Sequence, residues 1–347
     1  MLKKIAAALT LALIVGAPAA QAASITGAGA TFPAPVYAKW AESYAQTTGT
    51  TLNYQAIGSG GGIKQIKAKT VDFGASDKPL KPEDLQAAGL MQFPMVMGGV
   101  VPVMNLPGIA SGQVKLTGTQ LADIYRGVIR RWDDPLIALT NKGVALPHMP
   151  ITVVHRSDGS GTSFLFTSYL AMKAPHWASD VGASDSVQWP TGVGGKGNDG
   201  VAALVKQTPG AIGYVEYAYA KQNGMTYALM QNKAGKFVAP TAPAFAAAAA
   251  GADWSKAPGY YLLLLDQPGA ASWPITGATF ILMYTKQDNP AAGREVLKFF
   301  DWAYKNGDPA AQQLDYVPMP DKVKAMVRKA WAKQIAGADG KVVYASR

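Results

Sequence analysis

Three short stretches of the 347-residue chain place glycines beside hydroxyl residues where an apolar run gives way to a helical pattern. They are Gly27-Ala28-Gly29-Ala30-Thr31-Phe32, Gly58-Ser59-Gly60-Gly61-Gly62 and Ser157-Asp158-Gly159-Ser160-Gly161-Thr162-Ser163. Glycine lets a backbone turn tightly and approach a ligand closely. A hydroxyl at a helix start either caps the helix or donates to a bound group. Each helix N-terminus also leaves N–H groups unpaired and carries about half a positive charge, which favours anions. One such stretch alone reads as a capped turn. Three of them, with Arg156 beside the third, predict a cage of donors for an oxyanion, provided that the helix starts face a common point. Asp158, two residues beyond Arg156, either steadies that guanidinium or makes an Asx turn.

Asp77 is the informative oddity. It ends the run Val71-Asp72-Phe73-Gly74-Ala75-Ser76, at the strand end where an α/β cleft opens. A carboxylate there repels an anion unless the anion brings a proton to share. Phosphate near neutral pH keeps at least one proton and sulfate keeps none, so one aspartate can accept from the first and reject the second. The alternative is that Asp77 caps the turn before Lys78-Pro79.

Such junctions need strands and helices in alternation, and the patterning supplies them. Strands are expected at 24–26, 52–57, 71–75, 95–105, 151–155, 211–215 and 280–284. Helices are expected at 33–48, 62–69, 163–172, 242–250, 291–304 and 321–335. In the first helix Tyr37, Trp40, Ala41 and Tyr44 share a face and Gly49 ends it. There is no internal repeat and no low-complexity linker.

The N-terminus reads as an export signal over 1–22. Met1-Leu2-Lys3-Lys4 is positive, Ile5 to Val15 is apolar apart from Thr10, and Ala20-Gln21-Ala22 fits a cleavage site. The apolar stretch is too short for a stable membrane anchor. The absence of cysteine excludes disulfides, thiolate chemistry and a lipid-bearing cysteine, so a freely soluble periplasmic protein is expected. The remaining residues, about 325, exceed what one core usually supports, which predicts two lobes. A net charge of +10 is compatible with an anionic ligand, but the basic residues are scattered.

Other chemistries fit less well. Ser160 is not in a G-x-S-x-G elbow. The three histidines are His148, His155 and His176, and His155 should point away from its strand neighbour Arg156. Gly192-Val193-Gly194-Gly195-Lys196-Gly197 formally fits a dinucleotide motif but follows no strand, and reads as a supporting turn. Three dispersed histidines make a zinc site a poor fit. Lys322, Lys324, Arg328, Lys329 and Lys333 read as a solvated helix face rather than a nucleic-acid surface.

Four stretches carry a family resemblance: Thr26 to Tyr37, Val71 to Asp77, Asp158 to Phe164, and Gly194-Gly195-Lys196-Gly197-Asn198-Asp199-Gly200. Through them the whole mature chain resembles the periplasmic phosphate-binding proteins of bacterial high-affinity phosphate ABC transporters. The resemblance implies a two-lobe α/β periplasmic-binding fold of type II, closing on inorganic phosphate and docking on membrane permease subunits. It implies no cofactor, no catalysis, no nucleic acid and a monomer. It assigns phosphate contacts to Thr31, Phe32 (by its amide), Ser59, Asp77, Arg156, Ser160, Gly161 and Thr162, with Asp158 positioning Arg156. The lobes are expected at 23–100 plus 275–347 and at 101–274. Two features depart from the family: Gly60 stands where a second serine is usual, and Tyr260-Tyr261-Leu262-Leu263-Leu264-Leu265 is unusually apolar.

Overall fold

The structure, a computed structural model, describes residues 23–345, so the export signal expected over 1–22 lies outside the described residues. Eight strands form the main path of a sheet: β1 (Ser24–Gly29), β2 (Thr51–Ala56), β3 (Phe73–Ser76), β4 (Leu90–Met104), β5 (Thr152–Arg156), β6 (Val193–Gly195), β7 (Ala211–Glu216) and β8 (Ile275–Tyr284). Their order is β2-β1-β3-β8-β4-β7-β5-β6. The helices that concern the site and its frame are α1 (Ala34–Thr48), α2 (Ser59–Lys67), α3 (Gly161–Lys173), α4 (Gly197–Gln207), α5 (Pro290–Asn306) and α6 (Asp321–Gln334).

β1 runs parallel to β2 and β3, and β5 runs parallel to β6 and β7. Parallel neighbours need a crossover, and helices α1 to α4 occupy the intervals between strands. β4 joins the two sets. Its residues 90–99 pair antiparallel with β8, and its residues 100–104 pair antiparallel with β7. All fifteen residues of β4 are buried, which explains why its sequence, apart from Gln92, is apolar rather than alternating. The molecule is therefore a two-lobed α/β protein of the type II periplasmic-binding fold, with one strand serving both lobes.

Aromatic rings fill both interiors. Tyr37, Tyr54, Phe73, Phe93, Phe300 and Trp331 interlock on the β1–β3 side, and Tyr125, Phe166, Trp189 and Tyr214 on the β5–β7 side. Helix α1 buries Tyr37, Trp40 and Tyr44 at helical spacing, and Gly49 ends it with φ 75° and an amide bonded to the Ala45 carbonyl.

Element starts differ from the sequence reading where apolar periodicity is silent. α2 begins at Ser59 rather than Gly62, and α3 at Gly161 rather than Ser163, because glycines in a first turn carry no apolar side chain to mark it. β8 begins at Ile275 and β4 at Leu90, both earlier than expected. The apolar run near 260 contributes to the interior: Tyr260, Leu264 and Leu265 are buried, and the last two pair with Thr276 and Ile275. The basic face of α6 needs correction. Lys324 is buried against Asp308 and Arg328 bonds to Asp301, so these two cations hold the fold rather than face solvent. Among the described residues, no helix is long and apolar enough to cross a membrane, and no histidine or carboxylate cluster suits a metal.

Candidate anion-binding site

The starts of α2 and α3 meet at the end of β3. A Cβ added to Gly161 would lie 2.5 Å from Ser59 Oγ and 2.7 Å from Asp77 Cβ, so only glycine fits between the two lobes here. The Asp77 amide donates to Ser59 Oγ at 3.2 Å. Ser160 Oγ caps α3 by accepting from the Ser163 amide at 3.0 Å. A hydroxyl that accepts in this way still has its proton to donate to a ligand.

Arg156, at the end of β5, has its side chain almost wholly out of water. Asp158 grips it in a fork, with Nε to Oδ1 at 2.7 Å and Nη2 to Oδ2, leaving Nη1 directed towards Thr162 Oγ1 at 3.4 Å. Burial pushes the Asp158 carboxyl up, but the Arg156 hydrogen bond and charge and the Gly197 amide outweigh it and hold it below its ordinary value. Gly58 backs this pair: its φ is 89°, and a Cβ there would sit 2.2 Å from Asp158 Oδ2. His155 turns the other way, stacking on Trp189 with ring centres 4.7 Å apart.

Thr31 and Phe32 are buried at the turn into α1, and Asn198 holds Thr31 from the opposite lobe. Thr31 Oγ1 accepts from Asn198 Nδ2 at 2.7 Å and from the Asn198 amide at 3.2 Å. The backbone is fixed by two tyrosines: Tyr219 donates to the Thr31 carbonyl at 2.7 Å, and Tyr316 donates to the Phe32 carbonyl at 2.6 Å. Tyr316 also reaches Glu216 Oε2, and the Glu216 amide donates to Asn198 Oδ1. Sequence reasoning missed Asn198, Tyr219, Glu216 and Tyr316. Only Asn198 had a visible signal, since it lies in the Gly194–Gly200 stretch that carries the family resemblance, although no contact was assigned there.

Asp77 does not cap the turn after it, because Ser76 Oγ accepts from the Lys78 amide at 3.1 Å instead. The Asp77 side chain is buried, and its Oδ1 has no hydrogen-bond partner; neither do the nearby Thr279 Oγ1 and Tyr37 hydroxyl. Burial raises the Asp77 pKa from 3.8 to about 7, against the opposing pull of the Arg156 charge. A buried acceptor without a donor costs about 1–3 kcal/mol, so it invites a ligand proton.

A closed cleft lined by helix starts, one fixed guanidinium and one bare carboxyl defines the class: two-lobed α/β solute-binding proteins. The profile of the PBP superfamily domain matches residues 16–306. The "Phosphate-binding protein PstS" of Pasteurella multocida is 53 % identical over 324 residues, covering 93 % of this chain and 94 % of that protein. The protein of the same name from Xylella fastidiosa is 50 % identical over 314 residues, or 90 % and 86 % of the two chains. At that likeness over nearly its full length, the chain belongs to the PstS family of the PBP superfamily. Among solved structures, a high-affinity periplasmic phosphate-binding protein (PfluDING) bound with phosphate superposes with a TM-score of 0.73 over 92 % of this chain and 96 % of that one, at 22 % identity. A phosphate-binding protein from Stenotrophomonas maltophilia gives 0.69 at 24 % identity, over 92 % and 96 % of the two chains. These two support the fold.

Proposed function

We propose that this chain captures inorganic phosphate in the periplasm, between its lobes, and delivers it to the membrane permease subunits of an ABC transporter. The observation that carries the reading is the bare Asp77 carboxyl oxygen, buried beside two helix starts and within the field of Arg156. Thr31, Ser59, Ser160 and Thr162 offer hydroxyls, Phe32 and Gly161 offer amides, and Arg156 offers its remaining N–H groups. Asp77 accepts the proton that phosphate carries and sulfate lacks. Asp158 positions Arg156. The lobes divide as 23–100 plus 275–347 and 101–274, which agrees with the change of partner within β4 near Gly99.

The inventory suffices for tight binding. A micromolar complex needs about −8 kcal/mol, and hydrogen bonds to charged groups contribute roughly 1.5–3 kcal/mol each before desolvation and closure are subtracted. The protein acts as a monomer without cofactor, and it is not an enzyme, since His155 faces Trp189 and leaves Ser160 without a general base. Calorimetry on ligand-stripped protein at pH 8 tests the reading. Phosphate is expected to bind and sulfate not, while Asp77→Asn gains measurable sulfate binding. Unchanged sulfate exclusion in Asp77→Asn would remove Asp77 from selectivity, and turnover of a phosphomonoester would favour an enzyme.

A further inference from the structure

Lys78 follows Asp77 directly, and its ammonium reaches across the cleft. Nζ lies 2.7 Å from Asp185 Oδ1 and 5.6 Å from the centre of the Phe164 ring, both on the opposite lobe. Asp185 sits in the loop before β6, and its carbonyl accepts from the Ser160 amide at 2.9 Å, so it also shapes the anion-binding loop that Lys78 faces. Its carboxylate accepts a further bond from Ser184 Oγ at 3.1 Å. The pair is half-buried, with side chains 34 % and 22 % exposed, which weakens screening by water and salt. Beside it the two lobes touch backbone to backbone. The Gly60 amide donates to the Gly159 carbonyl at 2.9 Å, and a Cβ on Gly60 would come within 3.1 Å of Gly159 Cα. Gly60 thus leaves this seam without a side chain, where a Cβ would make only a tight contact.

We infer that Lys78 and Asp185, seated on the Gly60–Gly159 seam, form a latch over the bound anion that sets how slowly it leaves. The inference rests on the reading of this cleft as a phosphate site. An ion pair that spans two lobes exists only while they are closed, so it favours the closed state and opposes opening. It therefore acts on the release rate, where most affinity differences within one interface are found.

Lys78 would also attract anions whether or not it latches, so the discriminating change is on Asp185. Stopped-flow release of phosphate is measured for the wild type, Asp185→Asn, Lys78→Asp and the swap Lys78→Asp/Asp185→Lys. Charge attraction alone predicts that Asp185→Asn, having lost a negative charge near the anion, releases phosphate no faster than the wild type. The latch predicts release about fivefold faster in Asp185→Asn, with the swap returning to within about twofold of the wild type while Lys78→Asp alone does not. Release by Asp185→Asn at or below the wild-type rate, or a swap no slower than Lys78→Asp, would overturn the latch while leaving the phosphate reading intact. A wild type that binds no phosphate would instead overturn the reading on which the latch rests.

Discussion

At the scale of single residues, the site depends on a carboxyl placed where its charge is costly. The folded protein holds Asp77 at about pKa 7 against an ordinary 3.8. Below pH 3.8 both folded and unfolded chains keep this proton, and the residue does not alter stability. Between 3.8 and 7 the unfolded chain releases it while the folded one retains it, so stability falls as pH rises and the full penalty is present above 7. The shift corresponds to at most about 4 kcal/mol, because each unit is about 1.4 kcal/mol. Ligand-free Asp77→Asn should therefore melt close to the wild type at pH 4 and about 5 °C higher at pH 8, measured by calorimetry. A gap that is constant across pH would mean that Asp77 is solvated in the folded state. In Asp77 the protein accepts a stability penalty in return for a group able to test a ligand for a proton.

At the scale of elements, the lobes approach through helix starts that have no side chains in the way. Gly161→Ala would drive a methyl into Ser59 and Asp77, each on the other lobe and within 3 Å of it. The cleft should then stop short of closure, with the phosphate Kd rising on the order of 100-fold, which is under 3 kcal/mol. The melting temperature of ligand-free protein should fall by less than the loss in affinity implies, since opening of the lobes relieves the clash. Equal losses in affinity and in ligand-free stability would place the strain inside α3 instead. These glycine-hydroxyl junctions were legible in the sequence because local chemistry marks them, as were β4 and α1 from their apolar patterns. The supporting shell was not. Asn198 meets Thr31 across 167 residues, Tyr219 across 188 and Tyr316 meets Phe32 across 284, and a lone tyrosine or asparagine has no local pattern that announces so distant a partner. The first turns of α2 and α3 were invisible for the converse reason: they are built from the very glycines that carry no periodicity.

At the scale of the whole molecule, β4 runs through both strand sets and the ligand adds a second tie. Because the proposed contacts come from both lobes, phosphate should stabilise the entire fold by mass action, adding about 1.4 kcal/mol for each tenfold rise in concentration above Kd. For a chain of this size that is a rise of about 2 °C per decade in melting temperature. Sulfate is the demanding control, since both anions stabilise proteins non-specifically by exclusion from their surfaces. That effect emerges only at high salt and grows with concentration rather than with its logarithm. Specific capture predicts a logarithmic rise with phosphate from micromolar concentrations and a flat response to sulfate over the same range. If the two anions raised the melting temperature alike, the cage of helix starts, guanidinium and lone carboxyl would be reading charge alone, and Asp77 would have no proton to test.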